Sequence, residues 1–250
     1  MIGLLRSILC VMCFVLFGIG ALGMGGLLFP IMLLVYGKPA RQRRFFARSI
    51  HISWRFFVWV MVHVGLISIK CDKMDALRGA RGRIIVANHP SLIDVVILVA
   101  IIPNCVCVVK KGLFRNIFIK NVIKNIYLPN DMSVKSFVER AGAMLREGYN
   151  VLIFPEGTRT IPGVVPRIHR GFAYLHIRSQ MPILPINITN NPAILGKKQK
   201  WYDVGNKTVR YTLNVMSEIV CHNNMDDGER VVVRRVADLT AKKIFGPYTA

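Results

Sequence analysis

The chain has 250 residues, enough for one well-cored domain with an attached element and too few for two full-sized domains. Its 34 Lys and Arg against 13 Asp and Glu give a formal charge of +21, yet 53% of its residues are hydrophobic. That pairing is rare in soluble nucleic-acid binders, which keep their surfaces polar, and suits an anionic membrane surface, where each Lys or Arg contributes on the order of 1 kcal/mol; the plainer reading is that the basic residues aid solubility.

From Ser7 to Gly37 there is no charged residue. As one helix this stretch would measure about 45 Å against a hydrocarbon core of about 30 Å. A cleaved signal peptide is the competing reading, but the run is too long and no small-x-small site precedes a polar mature domain. Gly18, Gly20, Gly23, Gly25 and Gly26, followed by Pro30, weaken a straight helix, so a re-entrant or two-helix hairpin stands beside a single span. Lys38, Arg41, Arg43, Arg44 and Arg48 come next and place the downstream end on the cytoplasmic side. Ser49 to Ile69 mixes Trp54, Phe56, Phe57 and Trp59 with Arg55, His51 and His63, the pattern of a second helix in the headgroup region; a core helix of the soluble domain is the alternative. Residues 1–65 are thus expected to be membrane-associated helices, and 66–250 a separate domain.

Beyond Cys71 the hydrophobic runs shorten and alternate with turn signals. Arg83 to Ala87, Cys105 to Val109, Val151 to Phe154, Ile183 to Ile188 and Val209 to Val215 read as strands. Leu92 to Ile102, Met132 to Glu147 and Gly171 to Ser179 read as helices, and Glu229 to Phe245 as a basic amphipathic surface helix. The order predicts an α/β domain with a mixed central sheet flanked by helices. Six cysteines, Cys10, Cys13, Cys71, Cys105, Cys107 and Cys221, lack the spacings of a disulfide-rich or zinc-binding domain and are expected to be reduced. Cys10 and Cys13 form a C-x-x-C, but inside an apolar run that stabilises no thiolate.

Two clusters carry chemistry. The strand ending at Ala87 runs into Asn88-His89-Pro90-Ser91-Leu92-Ile93-Asp94, so His89 emerges at a strand end, where α/β proteins place reactive groups. On one helix, residues five apart would point about 140° from each other, but Pro90 breaks the backbone and lets a loop fold the imidazole back onto Asp94. Such a pair suits transfer to an alcohol: His89 takes the hydroxyl proton as that oxygen attacks a thioester carbonyl, with no covalent intermediate. The same residues also fit a capping box, Ser91-x-x-Asp94, with His89 merely packed. The second cluster, Phe154-Pro155-Glu156-Gly157-Thr158-Arg159, follows an apolar strand and gathers a carboxylate, a glycine, a hydroxyl and a guanidinium on one turn. Arg159 offers a bidentate fork to phosphate and Gly157 lets backbone N–H groups approach it, although a solvated turn with an Arg–Glu pair fits equally well.

Together, Asn88 to Asp94 and Phe154 to Arg159 resemble the first and third motifs of the phospholipid and glycerol-phosphate acyltransferase family. The likeness spans roughly Leu66 to Met216 and includes Lys110-Lys111-Gly112-Leu113-Phe114, similar to the second motif, and Pro182-Ile183-Leu184-Pro185-Ile186, similar to the fourth. The resemblance implies that His89 is the base and Asp94 its partner. It also implies that Asn88, Lys110, Lys111, Glu156, Gly157, Thr158 and Arg159 bind substrate, that Arg170 is a further anion contact, and that Pro185 shapes the pocket wall. It implies a glycerol-phosphate acyltransferase-like fold, acyl-CoA or an acidic acyl-carrier protein as donor, a membrane lipid as partner, no metal or other cofactor, no nucleic acid, and a place at the cytoplasmic face of a bacterial inner membrane.

One stretch departs from the pattern. Members that make phosphatidic acid carry Gly-x-Ile-Phe-Ile-x-Arg, whereas this chain reads Lys124-Asn125-Ile126-Tyr127-Leu128-Pro129-Asn130. Asn130 replaces the Arg, a loss of roughly 1.5 to 3 kcal/mol in a charge-assisted contact to phosphate if nothing substitutes. The sequence is also similar to bacterial acyltransferases encoded with aryl polyene and related pathways, which share the NHPSLIDVV and FPEGTRT strings and the arginine-rich stretch after the first helix. A hydrolase using the same His with water as acceptor is a second reading, disfavoured by the absence of a G-x-S-x-G elbow. A non-catalytic membrane or nucleic-acid binding protein, whose basic residues are its whole function, is a third.

Overall fold

The computed structural model describes residues 2–112, 126–197, 199–202, 204–221 and 228–246. Leu113, Phe114, Lys124 and Asn125, named above, lie outside them.

The uncharged run is helical as far as Val35: α1 (Ile2–Gly23), a π-helical turn (Met24–Leu28) and α2 (Phe29–Val35) follow one another without a break. Pro30 lacks an N–H and its ring crowds the carbonyl four residues back, so a widened turn over Met24–Leu28 absorbs it where a hairpin was one expectation. The chain reverses later, at Tyr36 and Lys38, both extended, and Pro39 opens α3 (Pro39–His63) at a position where a missing N–H costs nothing. The two arms are held by aromatic pairs, Phe17 on Phe57 at 4.8 Å between centroids and Phe29 on Phe46 at 4.4 Å. Arg6 ties the start of α1 to the carbonyls of Gly65, Leu66, Gly205 and Lys207.

The expected second helix starts earlier and ends earlier than Ser49 to Ile69. It stops at His63, and Gly65 (φ 73°) turns the chain into β1 (Ile67–Cys71), a strand that the continuing apolar pattern conceals. After α4 (Met74–Gly79) come β2 (Ile84–Ala87), α5 (Asp94–Ile101), β3 (Cys105–Val109), the two-residue β4 (Leu128–Pro129) and α6 (Val134–Arg146). The chain then forms β5 (Asn150–Ile153), α7 (Gly171–Ser179), β6 (Ile183–Asn191), β7 (Val209–Val215) and α8 (Glu229–Phe245).

The strands form one sheet in the order β1-β7-β6-β2-β5-β3-β4. All neighbours are parallel except β6 and β7. The predicted mixed sheet is therefore present, and β2, flanked by β5 and β6, sits at its centre with all four residues buried. α3 packs along α5 as one layer, and α6, α7 and α8 form the other. α3 buries Phe46, Ala47, Ile50, Phe57, Val58 and Met61, so it is part of the core as well as the outer neighbour of α1. Two asparagines lock the ends of the parallel strands. Asn150 accepts from Arg83 N and donates to the carbonyls of Ala80 and Pro103 at one edge, and Asn88 bridges to β6 at the other.

Candidate active site

Parallel strands end at one edge, so β2, β5 and β3 deliver the residues that follow them to the same rim. His89 follows β2, Glu156 follows β5, and Lys110 and Lys111 follow β3.

The loop after β2 folds back as its proline allows. His89 Nδ1 lies 2.9 Å from Asp94 Oδ2, with the carboxylate fully buried and the imidazole 18% exposed. Asp94 also accepts from Ser91 N at 2.6 Å and from Ser91 Oγ at 2.5 Å. The helix begins at Asp94 with Ile93 at its N-cap and no side-chain cap, so Ser91 does not cap α5; its N–H and hydroxyl instead hold the carboxylate that meets His89. Behind it the fully buried Tyr211 of β7 donates to Ser91 Oγ at 2.9 Å, extending the chain of hydrogen bonds to Tyr211–Ser91–Asp94–His89. Burial raises the Asp94 carboxyl above its ordinary range, opposed by the bonds from His89 and Ser91 that favour the ionised form. An anionic Asp94 accepts the Nδ1 proton and leaves Nε2 with its lone pair toward the opening, the tautomer a general base requires. The ring is stacked on Phe154, 4.3 Å between centroids and 22° from parallel, which fixes its plane.

Glu156 is turned inward and only 7% exposed. Its Oε1 accepts from His89 N at 3.1 Å and from Thr160 Oγ1 at 2.6 Å, while Thr160 N donates to His89 O at 2.8 Å. Burial raises this carboxyl too, with the Thr160 hydroxyl and the His89 N–H opposing. The turn after β5 therefore clamps the backbone of the loop after β2. Gly157 has φ 62°, and a Cβ there would stand 3.4 Å from the His169 ring. His169 N in turn donates to Pro155 O at 2.8 Å, drawing Arg170, at the start of α7, to the same turn. Arg159 donates Nη1 to the carbonyls of Leu195 and Gly196, each at 2.9 Å, and its other N–H groups make no hydrogen bond among the described residues. Thr158 makes no such bond either; Thr160 carries the hydroxyl contacts.

The remaining residues singled out from sequence lie elsewhere. Asn88 is buried, and its amide is spent on Ile188, donating to the carbonyl at 2.8 Å and accepting from the N–H at 2.6 Å. Pro185 sits within β6 beside Val86, three residues before that bridge. Lys110 and Lys111 are exposed, two strands and so about 10 Å across the rim from His89. Lys111 is paired with Asp131 at 2.7 Å, and its N–H is held by Asn130 Oδ1 at 3.2 Å. Phe154, Thr160, His169 and Tyr211 are the site residues for which sequence assigned no role, and Ser91 was read only as a helix cap. Ser91 and Phe154 lay inside the motifs, whereas Tyr211 is reached only through the pairing of β7 with β6.

Residues 68–189 match the family model described as Acyltransferase. A 1-acyl-sn-glycerol-3-phosphate acyltransferase of Cocos nucifera is 26% identical over 166 residues, 64% of this chain and 52% of that protein. The beta form of the human 1-acyl-sn-glycerol-3-phosphate acyltransferase is 29% identical over 144 residues, 54% of this chain and 51% of its own length. The chain spans about half the length of these curated relatives. Among solved structures, the 1-acyl-sn-glycerophosphate acyltransferase of Thermotoga maritima superposes over the whole of both chains with a TM-score of 0.70 at 15% identity, a likeness of fold.

Proposed function

We propose that the chain, whose residues 68–189 match the Acyltransferase family model, moves a fatty acyl group from an acyl thioester to a hydroxyl of a lysophospholipid-like acceptor. The observation that carries the reading is the 2.9 Å contact from His89 Nδ1 to a fully buried Asp94 carboxylate at the rim of the central strand. His89 Nε2 removes the proton from the acceptor hydroxyl as its oxygen attacks the thioester carbonyl. The tetrahedral intermediate then collapses, the C–S bond breaks, and the same proton passes from the imidazolium to the departing thiolate. Asp94 stabilises the imidazolium between the two steps, and neither metal nor further cofactor takes part.

Glu156 and Thr160 hold the base in place, while Arg159 and Arg170 are the cations that would face an acceptor phosphate. The donor is an acyl-CoA or an acidic acyl-carrier protein, the latter drawn to the basic surface. The helices of residues 1–65 attach the domain of residues 66–250 to a membrane. A 33-residue helical run, Gly3–Val35, is long and apolar enough to cross one, and the basic residues after it suit the cytoplasmic face of a bacterial inner membrane. A second reading, acylation of a non-glycerophosphate lipid in a specialised, aryl polyene-like pathway, is favoured by Asn130, whose side chain accepts from Lys111 N where related enzymes present an Arg.

Acyl transfer by the detergent-purified chain, with both donors and a panel of acceptors including lysophosphatidic acid, tests the proposal. We expect product whose formation falls by about 10² to 10⁴ in His89→Ala. Transfer only to other acceptors would move the assignment to the specialised pathway. Thioester loss without any acceptor would replace transfer by hydrolysis.

A further inference from the structure

A cavity lies at the end of α5 remote from Asp94, between α3, α4 and the turn before β3. It has a volume of about 460 Å³, and its lining includes His51, Arg55, Trp59, Arg78 and Arg81. We propose that it is a binding site for a phosphate-bearing anion, supplied by the headgroup of an anionic membrane lipid, distinct from the place where acyl transfer occurs.

Three arginines, Arg55, Arg78 and Arg81, line this cavity, and no carboxylate among the described residues does. Among the described residues the only acidic contact to any of them is Asp75, 3.8 Å from Arg78 and fully solvated, too loose and exposed to neutralise the cluster, and Arg81 is held by the neutral carbonyl of Ala80 at 2.8 Å. Gathering three like charges around one hollow is unfavourable without an anion to bridge them, and planar guanidinium forks match phosphate oxygens. His51 adds a directed group. Its Nδ1 donates to Val99 O at 2.7 Å, which pins the ring and leaves Nε2 for a ligand in the cavity.

The rim identifies the source of the phosphate. Trp59 borders the cavity and is 53% exposed; it stacks on Phe56 at 6.0 Å and contacts His63 at 4.0 Å. With Ile52 and Val62 these rings make an exposed apolar stripe along α3, at the helical spacing that puts them on one face. A cationic hollow whose lip continues into an apolar, tryptophan-bearing helix face fits a headgroup with its acyl chains better than a free phosphate ion.

The test compares the full-length chain with Arg55→Gln/Arg78→Gln/Arg81→Gln in neutral detergent micelles, titrated with phosphatidylglycerol and with phosphatidylcholine and read by native mass spectrometry. Wild type is expected to retain one more phosphatidylglycerol than the triple variant, whose affinity falls roughly 100-fold, about fivefold for each Arg at a lipid surface. Equal retention by the two proteins, or equal retention of phosphatidylcholine, overturns the site. Displacement of the lipid by millimolar inorganic phosphate overturns the lipid as its occupant. If the triple variant melts early, Arg55→Gln alone carries the test, with about a fivefold loss expected. Acyl transfer to micellar acceptors should stay within a few fold in these variants, so the two proposals fail separately.

Discussion

The rim of the sheet and the amino-terminal helices invert the usual rule in opposite directions. At the rim, Asp94, Ser91, Glu156 and Asn88 are polar side chains withdrawn from water, whereas on α1 and α2 large apolar residues such as Leu4, Ile19, Leu34 and Val35 are more than 60% exposed. A buried carboxylate is tolerated because its oxygens are met by His89 and Ser91, and what it gains is a fixed imidazole. The exposed leucines meet no such compensation among the described residues. Their burial would release about 1.5 to 3 kcal/mol each, which a bilayer supplies and water does not. One region is complete in itself, and the other is finished only by its surroundings.

The largest expected effect comes from breaking that self-sufficiency at Asp94. Asp94→Asn should lower acyl transfer by about 10² to 10⁴, because the imidazolium loses its counter-charge and Nδ1 its acceptor. Stability should move the other way. With the Asp94 carboxyl raised by burial, ionising it costs folding energy, so its penalty is absent below the ordinary carboxylate range and grows as pH rises toward its folded value. Thermal melts from pH 4 upward should therefore show the variant gaining on wild type as pH increases. A gap that shrinks instead would mean that the bonds from His89 and Ser91 outweigh burial.

Asn88→Ala comes next and separates scaffold from substrate contact. It orphans the N–H and C=O of Ile188, at about 1 to 3 kcal/mol each, so the melting temperature should fall with KM little changed. A KM effect without destabilisation would return Asn88 to the acceptor. Tyr211→Phe is the smallest perturbation, removing one hydroxyl from the end of the chain to Asp94. It should cost about 0.5 to 1.5 kcal/mol of stability and less than tenfold in rate.

Much of this was legible in one dimension. Cys105–Val109, Val209–Val215, Gly171–Ser179 and Glu229–Phe245 have the bounds that periodicity indicates, since each is a short apolar or amphipathic run between turn residues. β1 was hidden because Ile67–Cys71 prolongs the apolar pattern of α3, and β4 because two residues carry no period. The pairing of His89 with Asp94 was readable from Pro90 and the strand end, as one short loop separates the two partners.

What local order encodes is chemistry within a few residues: the helix or strand period, the proline that turns a loop, the base beside its carboxylate. The union of the two motifs through Glu156, Thr160 and His89, the commitment of Asn88 to Ile188, the reach of Tyr211 into the site and the gathering of Arg55, Arg78 and Arg81 around one cavity join segments far apart in sequence. Those contacts follow from strand order and from α3 packing on α5. Sequence spacing carries no term for which strands become neighbours, and only the burial of the whole core settles it.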